Sequence, residues 1–62
     1  MRDPNRIPQM VELLEQVWKK YPDWRLGQLI INASRDSNGN IRDPWFIEDS
    51  DMIGLLNREL RT

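Results

Sequence analysis

Ile7-Pro8-Gln9-Met10-Val11-Glu12-Leu13-Leu14-Glu15-Gln16-Val17-Trp18-Lys19-Lys20-Tyr21-Pro22-Asp23 is the stretch that decides the fold. Its apolar residues fall at Ile7, Met10, Val11, Leu14, Val17, Trp18 and Tyr21, the i, i+3, i+4, i+7 series of one helical face, with Leu13 widening the stripe. Gln9, Glu12, Glu15, Gln16, Lys19 and Lys20 take the other side, and Glu15 precedes Lys19 by one turn in the favourable order. Asp3 and Asn5 are capping types, and Pro8 is tolerated only in a first turn, so the helix is predicted to start near residues 5 to 7. Pro22 removes a backbone donor and disfavours helical geometry at Tyr21, which ends the helix there. Trp18, within the stripe, is expected in the core.

Working outward, Asp23 is an N-cap candidate for a second helix from Trp24 to about Ser34, with Leu26, Leu29, Ile30 and Ala33 on one face. So short a connection predicts an αα-hairpin or a steep corner. Trp24 and Ile31 then project to a different side, beside Gln28 and Arg35. Asp36-Ser37-Asn38-Gly39-Asn40 is a turn by composition. Asn38-Gly39 suits a type I′ hairpin turn, although its flanks do not alternate. Trp45-Phe46-Ile47 is read as a short extended run lying across the helices. Glu48-Asp49-Ser50-Asp51 supplies caps and acidic charge for a third helix with Met52, Ile53, Leu56 and Leu60 inside, and Arg58 and Arg61 suit its C-terminal end. The expected fold is mainly α: one compact three-helix domain over residues 1–62 with an N-terminal αα-hairpin, a turn-rich loop and a short extended segment before the last helix.

Composition narrows the function. The chain has 62 residues with neither Cys nor His, which excludes disulfides, thiol nucleophiles, histidine bases and zinc, haem or iron-sulfur sites built on those side chains. A chain of this length buries only about 60% of its unfolded surface and so needs very good helix packing or a partner. Nine basic against ten acidic residues, a net charge of −1, give no global field toward nucleic acid or anionic lipid. No apolar run reaches the length of a membrane span, and no leader-like segment is recognised. The protein is therefore expected to be soluble and cytoplasmic.

The series Val11-Glu12-Leu13-Leu14, Trp18, Lys20, Pro22-Asp23, Leu26 and Gln28, followed by Ile47-Glu48-Asp49 before a last helix, resembles the YihD-like family of small bacterial and phage proteins. In that family a helix ending W-x-K-x-P-D is followed by an L-x-Q helix. The resemblance covers residues 6 to 35 and, more thinly, 44 to 60. It implies a helical fold and brings no activity with it.

Four constellations bear on chemistry. Asp43, Glu48, Asp49 and Asp51 lack the alternating ligand series, sixth-position Gly and twelfth-position Glu of an EF-hand, and capping already explains acids at a helix start, so no metal is expected. Paired carboxylates such as Glu12 and Glu15, or Asp49 and Asp51, need a pocket that separates their pKa values. So small a core leaves little room for one, so no enzyme activity and no cofactor are expected. Bases outnumber acids six to four through residue 35, and acids outnumber bases six to three after it. On the basic side, Trp24 with Arg25 and Arg35 makes a candidate for stacking a base and gripping phosphate. Duplex DNA is disfavoured, because helix 2 offers only Arg25, Gln28, Asn32 and Arg35 as readers.

Three Trp in 62 residues are more than one tiny core accommodates. Trp18 is assigned to the core stripe, whereas Trp24 and Trp45, with Ile31 and Phe46 beside them, are typical interface anchors. Trp45 and Phe46 serve equally well as a lid over the helix pair. The reading is thus a non-enzymatic binding protein that self-associates as a homodimer and engages a larger host protein. Its expected interface is Trp24, Ile31, Trp45 and Phe46, with Gln28 and Arg35 fixing orientation. By analogy with small phage proteins, inhibition of a host defence system is the expected role. The alternative is a module that sequesters a nucleotide or other small anion through Arg25, Arg35 and Trp24.

Overall fold

The computed structural model describes residues 2–61 and places three helices in them: α1 (Arg6–Lys20), α2 (Leu26–Ala33) and α3 (Asp49–Arg61), with a 3-10 turn at Pro44–Phe46 before α3. The chain is mainly helical, as its periodicity requires. α1 starts where Asp3 organises the approach: its side chain accepts the Asn5 N–H at 2.9 Å, and its carbonyl accepts the Arg6 guanidinium at 2.8 Å. Pro8 therefore lies in the first turn, where its missing donor has no intrahelical partner. At the other end the Tyr21 N–H still reaches the carbonyls of Val17 and Trp18, while Tyr21 itself leaves helical geometry at φ −126°, ψ 67° ahead of Pro22.

α2 begins two residues later than its apolar pattern predicts. The Trp24 N–H closes a turn onto the Tyr21 carbonyl at 3.1 Å, which keeps Asp23 and Trp24 outside the helix. Arg25 is the N-cap residue, and the Gln28 side chain accepts the Arg25 N–H at 2.9 Å. Asp23 therefore is not the cap.

After α2 the chain makes a three-residue loop. Asp36 N–H donates to Asn40 C=O, Gly39 N–H returns to Asp36 C=O, and an isolated antiparallel bridge joins Arg35 to Ile41. Gly39 alone among the described residues has a positive φ, 84°. A type I′ turn needs positive φ at both central residues, so the Asn38-Gly39 turn is instead the type I turn with a left-handed Gly that three-residue hairpins use. The Asp36 carboxylate holds it by accepting the N–H groups of Asn38 and Asn40, both at 2.9 Å. The segment read as extended at Trp45-Phe46 is a single 3-10 turn, with extended backbone only at Asp43 and Ile47 on either side. The cause is local: Asp43 caps the Trp45 N–H at 3.0 Å, and Pro44 occupies the first helical position.

The core is Leu13 and Val17 of α1, Leu29 and Ala33 of α2 and Leu56 of α3. Met10, Leu14, Ile30, Met52, Ile53 and Leu60 are half-buried around it. Ser34 is buried with its hydroxyl donating to the Ile30 carbonyl at 2.6 Å, the partner that a buried hydroxyl requires. α1 packs most extensively on α3, and two clasps fix their direction. Arg6 pairs with Asp49 at the start of both helices, and the Lys20 ammonium donates to the carbonyls of Glu59 and Leu60 at the end of both, at 2.9 and 3.2 Å. α1 and α3 therefore run parallel. Asp49 at the start of α3 and Lys20 at the ends of α1 and α3 oppose the partial charges of those helix ends, whereas Arg6 lies at the positive end of α1.

Candidate functional site

Three surfaces carry the side chains that sequence reasoning singles out, together with some that it misses. The first lies along α2. Trp24, Gly27, Gln28, Ile31 and Asn32 line a shallow, open groove of about 630 Å³, so three of the expected interface residues, Trp24, Gln28 and Ile31, come together. Trp24 is only half-buried, yet it is a structural residue as well. Its ring stacks on Tyr21 with centroids 4.1 Å apart and planes within 9°, and its carbonyl accepts the Trp18 indole N–H at 2.7 Å. Gln28 spends its side-chain oxygen on the Arg25 cap.

Arg25 and Arg35, offered for anion binding, flank opposite ends of α2, whose eight residues span about 12 Å. Arg35 donates to the Gly39 carbonyl at 3.3 Å, which turns it toward the loop. One face of the Trp24 ring is taken by Tyr21. The structure does not gather the two guanidinium groups around the indole.

The second surface is the Pro44–Phe46 turn. Pro44 and Ile47 form part of the wall of a cleft of about 240 Å³ lined also by Met10, Leu14, Ile30 and Met52. The residues between them point the other way: Trp45 is 85% exposed and Phe46 77%. They do not form a lid over the helix pair. Backbone bonds hold the turn from both sides, with Phe46 N–H donating to Asp43 C=O at 3.1 Å and Ile47 N–H to Pro44 C=O at 3.2 Å. The two large rings are thus carried on a braced knob. Acidic groups surround it in sequence, and they are dispersed among separate tasks: Asp43 caps the turn, Glu48 faces Arg2 at 3.4 Å and Asp49 pairs with Arg6. Among the described residues no group of three or more acidic side chains is placed to hold a metal ion.

The third surface is the one that the sequence reading misses. At about 100° per residue, the apolar residues of α1 occupy an arc of about 160° from Leu13 round to Val11. Only the half formed by Leu13, Val17 and Met10 faces α2 and α3. The other half remains outside, with Ile7 50%, Val11 57% and Trp18 38% exposed. Trp18 is therefore not a core residue, although its N–H is satisfied by Trp24. Together with Leu14, Pro22 and Leu26, Val11 and Trp18 line a groove of about 530 Å³ whose charged residues are Glu15 and Lys19. The signal was present in the width of the stripe, which is broader than one packed face.

No protein-family model, curated protein or solved structure matches the chain. Among the described residues no helix is long and apolar enough to cross a membrane.

Proposed function

We propose that this chain is a non-enzymatic binding protein that engages a larger protein by seating Trp45 and Phe46 in an apolar cleft. The observation that carries this reading is that two large aromatic side chains, 85% and 77% exposed, are displayed by a turn whose own backbone is fully organised. Aromatic anchors dominate binding energy when they fill a partner's pocket. A turn already held by Asp43, Pro44 and Ile47 loses little conformational freedom on docking. The separation of Arg25 from Arg35 gives the nucleotide alternative less support.

The test compares the wild-type chain with the double variant Trp45→Ser, Phe46→Ser in quantitative affinity capture from a host extract, with thermal unfolding of both. The variant keeps its melting temperature, since neither ring is buried, and loses the partners that the wild type retains. An identical set of captured proteins, or no specific capture by the wild type, refutes the proposal.

A further inference from the structure

We infer that the outer groove of α1 and the start of α2 is covered by a second copy of this chain, packed antiparallel about a twofold axis that passes beside Trp18. Two observations carry this assignment. The first is apolar exposure: Val11, Trp18 and Leu26, all exposed, line one groove, and the exposed Ile7 shares the α1 face of Val11 and Trp18.

The second is self-complementary charge. Glu15 and Lys19 sit one helical turn apart on the same edge of the groove, 64% and 76% exposed, and approach each other at 3.6 Å. As an exposed i, i+4 pair within one chain they contribute little. A twofold axis running across α1 midway between them keeps their edge on the same side in both copies and reverses the helix direction. Glu15 then faces Lys19 of the second copy, and Lys19 faces its Glu15, the reciprocal pattern of an isologous interface. The same operation brings the two Trp18 rings together near the axis. A parallel arrangement sets the charged edge against the core-facing edge instead and forms neither pair. The inference does not depend on the Trp45–Phe46 knob, which lies on another surface.

Charge reversal tests both the occupant and its orientation. Wild-type chain is expected to sediment as a dimer, and Glu15→Lys and Lys19→Glu each to weaken that dimer about tenfold or more by opposing like charges twice. An equimolar mixture of the two single variants, one isotopically labelled, restores dimer mass as the mixed species in native mass spectrometry. Both positions are exposed, so circular dichroism of each variant stays unchanged. Val11→Asp, also at an exposed position, gives a monomer that the mixture does not rescue. A monomeric wild type at hundreds of micromolar overturns the inference, as do single variants that remain fully dimeric or a mixture that fails to recover dimer.

Discussion

The corner between α1 and α2 and the turn before α3 both carry indoles, and they use them in opposite ways. At the corner the rings hold the chain. Tyr21 and Trp24 stack, the Trp18 N–H closes on the Trp24 carbonyl, and the connection is fastened by side chains. At the turn the chain holds the rings: Asp43, Pro44 and Ile47 organise the backbone while Trp45 and Phe46 stand in solvent. The difference teaches that a high Trp content is not in itself a sign of an interface. What distinguishes an anchor from a brace is whether the ring's removal would leave the backbone where it is.

Three substitutions probe that distinction, all followed by urea unfolding in dilute solution. Trp24→Ala has the largest expected effect, a loss of about 2 to 3 kcal/mol from the missing stack and partly buried area. A domain whose core supplies about 3 to 5 kcal/mol keeps only about 0 to 3 kcal/mol after that change. A loss under about 0.5 kcal/mol would place Trp24 with Trp45 as a mere surface ring. Trp18→Phe keeps most of the apolar area and removes the indole donor, which leaves the Trp24 carbonyl without that partner. The expected cost is about 1 kcal/mol, and no measurable cost would mean that the bond does not fasten the corner. Asp43→Ala is the smallest, about 0.5 kcal/mol for a lost cap. Its sharper readout is faster hydrogen exchange at the Trp45 amide, and unaltered exchange would show that the knob is braced by Pro44 and Ile47 alone.

How much of this was legible in the residues depends on what each signal measures. The extent of α1 followed from its spacing and from Pro8 and Pro22, because those constraints are local and steric. The shift of α2 to Leu26 was not legible in Asp23, a good cap by type, since the Tyr21–Trp24 turn competes for the same residues and Gln28 supplies the capping oxygen from inside the helix. The 3-10 turn was encoded in Asp43-Pro44, a cap followed by a first-turn proline, and was masked by the bulk of Trp45-Phe46-Ile47. The outer stripe of α1 was visible as apolar residues but not as surface. Periodicity reports which side chains share a face, and only the number and placement of neighbouring helices decides how much of that face is covered. Of the candidate interface residues, Trp24, Gln28 and Ile31, which helical spacing groups, line one groove, and Trp45, Phe46 and Arg35 are not among its lining residues.

The parallel clasping of α1 and α3 has a consequence for assembly. Arg6 and Asp49 are 43 residues apart, and Lys20 and Glu59 are 39, so neither clasp exists until the chain has travelled out through α2 and back. Closing so wide a circuit is entropically slower than forming the adjacent α1–α2 corner. The last helix is thus expected to arrive late and to complete the interior by delivering Leu56, the first two helices presenting their whole apolar girth to water until it docks.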